Sequence, residues 1–233
     1  MSQSLNLFRL QQIDTQLDQT IQQLTEIQNL LADSSVVQAA ETHRNAAETA
    51  LKTERKLLQQ AELKVQDQKI KIEQTEAALY GGKVRNPKEL QDLQHESASL
   101  KKYLLTLEDR LLEVMFSVED LEAEAAAKQQ EYLKILAETE EQHAQLRGKQ
   151  TQLNQVRERL NIERQAAENT LANAEIAIYE QLRKTRSGVA VAKITDRTCG
   201  ACGAALTPSL IQAANAPQQF ARCASCGRIL YPG

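Results

Sequence analysis

Tyr80-Gly81-Gly82-Lys83-Val84-Arg85-Asn86-Pro87-Lys88-Glu89-Leu90 separates two long stretches that contain almost no helix breakers. Its first half stops a helix, because glycine takes a left-handed C-terminal conformation at little steric cost. Its second half starts one. Asn86 suits an N-cap, Pro87 suits the first helical position where a missing N–H is harmless, and Glu89 at the third position can reach back to the cap. No Gly or Pro precedes Gly81, and between Pro87 and Ser187 the single breaker is Gly148. Nearly everything up to Ser187 outside the turn therefore reads as long helix.

The apolar residues on either side have the period of a coiled-coil seam. Leu10, Ile13, Leu17, Ile21, Leu24, Ile27 and Leu31 lie three or four residues apart, the step that keeps one face toward a partner helix. After Asp33-Ser34-Ser35 the seam resumes one residue out of phase through Ala40, Ala47, Leu51, Val65, Ile72 and Leu79, so a kink or local unwinding is expected there. A second seam runs without slip from Leu90 through Leu107, Val118 and Leu160 to Ala177, predicting one continuous helix. Two long helices joined by a short turn cover each other's seams most economically as an antiparallel hairpin. The rival is a parallel two-chain coil with the turn bulging out. The fold expected is mainly α: a kinked antiparallel coiled-coil hairpin over residues 1–186, with its turn at 80–87, followed by a small module over 187–233.

Composition narrows the function. Of 233 residues 42% are hydrophobic but only 3% aromatic, with no Trp, too few large rings for the core of a sizeable enzyme. No run of 18 apolar residues exists, and the opening MSQSLNLFRLQQ lacks the features of a secretion signal, so a cytoplasmic protein without a membrane role is expected. Residues 183–233 hold seven basic residues against Asp196 alone, while the rest of the chain is acidic.

All four cysteines fall in that basic module, as Cys199-Gly200-Ala201-Cys202-Gly203 and Cys223-Ala224-Ser225-Cys226-Gly227. Two residues between cysteines let a tight turn aim both sulfurs at one ion, and a following Gly lets backbone amides turn toward the thiolates. Two such turns make a tetrahedral four-sulfur site for one structural zinc, whose closed coordination leaves no position for catalysis. Two disulfides or an iron site are the alternatives. Strands are expected at Val189 to Ile194, Gln219 to Arg222 and Arg228 to Tyr231, with a short helical turn starting at Thr207-Pro208. The module is thus a zinc ribbon.

Other candidates are weaker. His43, His95 and His143 sit alone on helices, and the Glu-rich stretch from Glu119 to Glu124 reads as a solvated face. Nucleophile, base and pocket are all missing, so no enzyme and no small-molecule substrate are expected. Lys193, Arg197, Arg222 and Arg228 offer the ribbon a basic surface for nucleic acid or a protein partner, or merely a solvated face. Phe220 and Tyr231 are needed for the ribbon's own small core, so sequence-specific base reading is not supported.

Three stretches carry a resemblance: Tyr80 to Glu96, Leu107-Glu108-Asp109-Arg110-Leu111-Leu112-Glu113, and the ending Cys223 to Tyr231. The chain resembles bacterial coiled-coil proteins with a C-terminal four-cysteine zinc ribbon, a family long known only as a domain of unknown function. The resemblance implies a kinked hairpin bearing a ribbon, with Cys199, Cys202, Cys223 and Cys226 as zinc ligands and Gly81, Gly82, Asn86 and Pro87 in the turn. Some members bind an alternative sigma factor, a secretion or flagellar component, or messenger RNA. The implied role is a regulatory adaptor, monomeric or weakly dimeric, that binds a protein partner, with RNA a second candidate ligand. A structural scaffold whose ribbon docks only on protein is the alternative. Ala224 replaces a frequent Pro and His95 a usual basic residue, changes that leave partner choice open.

Overall fold

Helix α1 (Gln3–Ala32) ends two residues before α2 (Ser35–Tyr80) begins, so the phase slip in the seam is a true break in the helix. Asp33 Oδ1 accepts the Ser35 amide at 2.9 Å, holding the chain across the gap. A computed structural model describes residues 3–82, 84–216 and 220–233 of the chain. After α2 and the tip, α3 spans Pro87–Glu168 and α4 spans Asn173–Thr185; β1 (Val191–Thr195), β2 (Thr198–Cys199), α5 (Pro208–Ala214) and β3 (Ile229–Tyr231) complete the order.

At the tip the two glycines have different tasks. Gly82 is the left-handed residue, with φ of 69°. Gly81 keeps φ of −76° while its amide bonds to the Ala77 carbonyl, and a Cβ there would lie 2.4 Å from that oxygen. Lys83 lies outside the described residues. Asn86 Oδ1 accepts the Lys88 amide at 3.0 Å, and Asn86 Nδ2 donates to Glu89 Oε1 at 3.3 Å. The cap therefore forms as the sequence predicts, except that Glu89 returns to the cap's side chain. Asn86→Ala should cost about 1 kcal/mol, seen as a lower urea midpoint with an unchanged slope; an unaltered midpoint would show the cap to be idle.

α2 and α3 run antiparallel in one register. Arg55 pairs with Glu122, Lys69 with Glu108 and Glu76 with Lys101, the second number falling as the first rises. The seam read from α2 is buried as expected at Ala40, Ala47, Leu51, Val65, Ile72 and Leu79. Gln68 fills one of its positions and stays satisfied by donating to the Leu100 carbonyl.

Two expectations are corrected. In α1 the buried stripe takes in Asp14 and Thr20, while Ile21 is exposed. A charged residue is tolerated there because Asp14 is paired with Arg164 and Tyr179. The second long helix is not continuous either: α3 stops at Glu168 and α4 restarts at Asn173. Arg164 touches Glu180, although sixteen residues along one helix would hold them about 24 Å apart. Thr170 Oγ1 donates to the Ala167 carbonyl, and the Ala172 amide donates to Glu175 Oε2, side chains competing with the helical ladder.

The chain forms two compact units, α1 with His143–Gly233, and Asp33–Gln142. Within the first, the strands make one sheet in the order β2-β1-β3, with β1 antiparallel to β2 and parallel to β3. Two of the expected strands thus appear with shifted ends. In the third, Arg222 forms an isolated bridge to Ile229, while Gln219 lies outside the described residues. No helix among the described residues is long and apolar enough to cross a membrane.

Candidate metal centre

Each Cys-x-x-Cys-Gly segment folds into the same turn. The Gly203 amide donates to the Cys199 carbonyl at 2.8 Å and the Gly227 amide to the Cys223 carbonyl at 2.9 Å. Both glycines are left-handed, with φ of 72° and 74°, a conformation that carries a steric penalty for any residue with a Cβ. β2 delivers the first turn and the approach to β3 the second. The Asp196-Arg197 reversal between β1 and β2, both residues at positive φ, has the twist that a two-residue hairpin needs.

These turns bring all four sulfurs within 4.8 Å of one another. Cys199 Sγ lies 3.9 Å from Cys226 Sγ, and Cys202 Sγ lies 3.8 Å from Cys223 Sγ. A tetrahedron with metal–sulfur bonds of about 2.3 Å has edges of about 3.8 Å. The set fits a four-thiolate metal ion, and all four cysteines are free thiols. Burial pushes the Cys199 thiol up to about 12. At Cys226 burial acts in the same sense but is outweighed by hydrogen bonds, those from Arg228 foremost, which bring it down to about 6. Around the sulfurs pack Ala192, Leu206, Ala214 and Leu230, a thin apolar jacket.

The basic residues named from sequence lie around this module but not in one cluster of contacts. Lys193 on β1, Arg197 in the hairpin turn and Arg222 are exposed, and none makes an ion pair among the described residues. Arg228 instead donates from Nε to the Val189 carbonyl at 2.8 Å and from Nη2 to the Arg186 carbonyl at 3.1 Å. Arg183, counted in the basic segment, bonds both oxygens of Asp18.

What sequence reasoning missed is the seat of the ribbon. Gln11 on α1, 8% exposed, acts as an extra strand residue. Its Oε1 accepts the amides of Ala190 and Val191, and its Nε2 donates to the Val191 carbonyl. Leu7, Leu10, Tyr179, Val191 and Ile229 pack together beside it, and Phe8 stacks on Tyr231 with ring centroids 4.7 Å apart. The available signal was a pair of polar residues, Gln11 and Asp14, on the buried side of an amphipathic helix.

A helical hairpin with interrupted helices and a small C-terminal four-thiol module is the class of protein that the fold and the site define. The chain belongs to the CT398-like coiled coil hairpin domain family, whose model matches residues 10–187. Its fold is similar to CT398 from Chlamydia trachomatis, with a TM-score of 0.79 at 20% identity over 99% of this chain and 97% of that one. It is also similar to a Mycobacterium smegmatis protein, with a TM-score of 0.69 at 23% identity over 99% of each chain. The Mycobacterium tuberculosis H37Rv protein Rv2229c is 31% identical over 145 residues, 61% of this chain and 59% of that protein. The chain thus spans about three-fifths of the length of the curated relatives it matches.

Proposed function

We propose that the chain is a non-enzymatic cytoplasmic adaptor whose hairpin recruits a protein partner and whose basic module contacts RNA. The partner envisaged is an alternative sigma factor or a secretion or flagellar component. The ion held by Cys199, Cys202, Cys223 and Cys226 is zinc in this reading, because four thiolates at tetrahedral spacing suit a closed structural zinc. One observation supports the RNA half above others: Lys193, Arg197 and Arg222 stand exposed, without an ion pair among the described residues, around a module in which Asp196 is the lone acid. The alternative, a scaffold whose module docks on protein only, is favoured by the scarcity of exposed aromatic rings for base stacking there.

Affinity capture from native cytosol, with and without nuclease, separates the two. Nuclease-sensitive recovery supports the adaptor, whereas stable recovery of one protein supports the scaffold. Direct titration with single-stranded RNA adds a quantitative check. Three neutralised phosphates give a log–log salt slope of about −2.1, and Arg222→Ala flattens it by about 0.7 equally for different sequences. Absence of binding in low salt removes the RNA half.

A further inference from the structure

Helix α3 carries two seams. One, including buried Leu107 and Val118, faces α2. The other lies on the opposite side, where Leu105, Leu112 and Phe116 are 63%, 51% and 65% exposed. Three large apolar side chains within three turns of one helix face form a patch that a solitary surface does not need. Ala98 and Ala123 continue the same stripe at its ends, while Lys102, Asp109 and Glu119 fill its remaining steps, all of them exposed. The steps alternate between three and four residues throughout, the period of a coiled-coil seam.

We propose that this stripe receives a second copy of the same chain, with α3 docked antiparallel on α3 about a twofold axis near Arg110 and Leu111. The placement of charge argues for the occupant and for the direction. About that axis Phe116 of one copy meets Leu105 of the other, Ala98 meets Ala123, and Lys102 meets Glu119, each contact occurring twice. Parallel docking would instead set Lys102 on Lys102 and Glu119 on Glu119. Two charges on the stripe that the hairpin leaves unpaired, Lys102 and Glu119, are ones that the second copy matches. On the flanks Lys101, Glu108 and Glu122 are already paired with Glu76, Lys69 and Arg55 of α2. Lys102 and Glu119 have no ion-pair partner among the described residues.

The central layer places Leu112 against Asp109. A polar residue in a seam lowers stability while fixing register, and three large apolar side chains per copy make a small interface. The dimer is therefore weak and concentration-dependent. A stripe with small residues at both ends, a cation toward one and an acid toward the other is complementary to its own reverse, as an isologous interface requires.

Sedimentation equilibrium of the full chain tests this, from about 1 to about 200 µM, a range chosen for a small interface. The mass is expected to double toward the upper end. Phe116→Asp should weaken dimerisation about tenfold or more, with helical circular dichroism unchanged because the side chain points away from α2. Lys102→Glu and Glu119→Lys should each weaken the dimer, and an equimolar mixture of those two chains should restore it as a heterodimer in which every such layer pairs opposite charges. A single monomeric mass at all concentrations overturns the proposal, as does a dimer indifferent to Phe116→Asp. A mixture no tighter than its separate variants overturns the register.

Discussion

Chelating the ion proposed for the four thiolates, or replacing Cys226 with Ser, should unfold the C-terminal module and leave most of the far-UV helical signal in place. Around the sulfurs Ala192, Leu206, Ala214 and Leu230 are buried, with Ile194, Ala204, Ile211 and Ala221 packed against them half-buried, and so small a core does not offset the entropy of ordering its loops. A structural four-thiolate zinc contributes on the order of 10–16 kcal/mol, as much as the entire stability of an ordinary domain at roughly 5–15 kcal/mol. The seam between α2 and α3 owes nothing to the cysteines.

The loss should not stop at the strands. β1 and β3 cover Leu7 and Leu10, hold the Gln11 amide group and stack Tyr231 on Phe8. Hydrogen exchange should therefore rise in the first turns of α1 and in α4 as well as in 191–216 and 220–231, while α2 keeps its protection. Metal analysis should find one ion per chain before chelation and less than one in the Cys226→Ser protein. Cooperative loss of all helicity, or full metal retention after that substitution, would contradict the independence of the two parts.

The hairpin was legible because its signals are local and redundant. Gly81-Gly82 and Asn86-Pro87-Lys88-Glu89 mark the turn, and a phase slip in the apolar spacing marks the break at Asp33-Ser34. The gathering of the four cysteines was legible for the same reason, since Cys-x-x-Cys-Gly fixes its own turn geometry. The gap between α3 and α4 carries no such signal. Asn169-Thr170-Leu171-Ala172 contains neither Gly nor Pro, and helix propensity alone does not stop there. What ends α3 is tertiary: Arg164, Glu180 and Asp14 meet only if the chain turns, and the spacing of Ala167, Ala174 and Ala177 conceals the turn by keeping the heptad period. The seating of the sheet on α1 was equally hidden, because a glutamine side chain completing a strand's hydrogen bonds has no sequence pattern. Arg228 shows the limit of counting charge: its guanidinium is committed to the Val189 and Arg186 carbonyls, whereas Lys193 and Arg197 are not so held.

Asp14→Ala should cost about 3–5 kcal/mol, the scale for removing one partner from a buried ion pair. Asp14 is 1% exposed and sits at the meeting point of three helices. Its Oδ1 accepts from Arg164 Nε and its Oδ2 from the Tyr179 hydroxyl, both at 2.7 Å, and Arg183 Nη1 lies 3.7 Å from Oδ2. Arg164 also holds Glu168 and Glu180, so one guanidinium ties the last turn of α3 to α4 and both to α1. Burial first, and the hydrogen bond to Asp14 second, hold the Tyr179 hydroxyl protonated far above the usual tyrosine range. Deleting the carboxylate leaves the buried Tyr179 hydroxyl without its acceptor and takes one carboxylate from Arg164, which keeps Glu168 and Glu180, and one from Arg183, which keeps Asp18, so a desolvation penalty adds to the lost attraction.

Two further substitutions separate this network from ordinary surface charge. Tyr179→Phe removes one donor and leaves Asp14 its arginine, so a loss of about 1–2 kcal/mol is expected. Asp18→Ala breaks an ion pair to Arg183 whose acid is 56% exposed, and should cost less than about 1 kcal/mol. Urea unfolding of the metal-loaded chain, with the slope checked for each variant, measures all three. An Asp14→Ala protein within about 0.5 kcal/mol of the parent would show the network to be neutral. If instead Arg164→Ala and Asp14→Ala together cost much less than their separate effects added, the two side chains act as one unit joining α1 to α3.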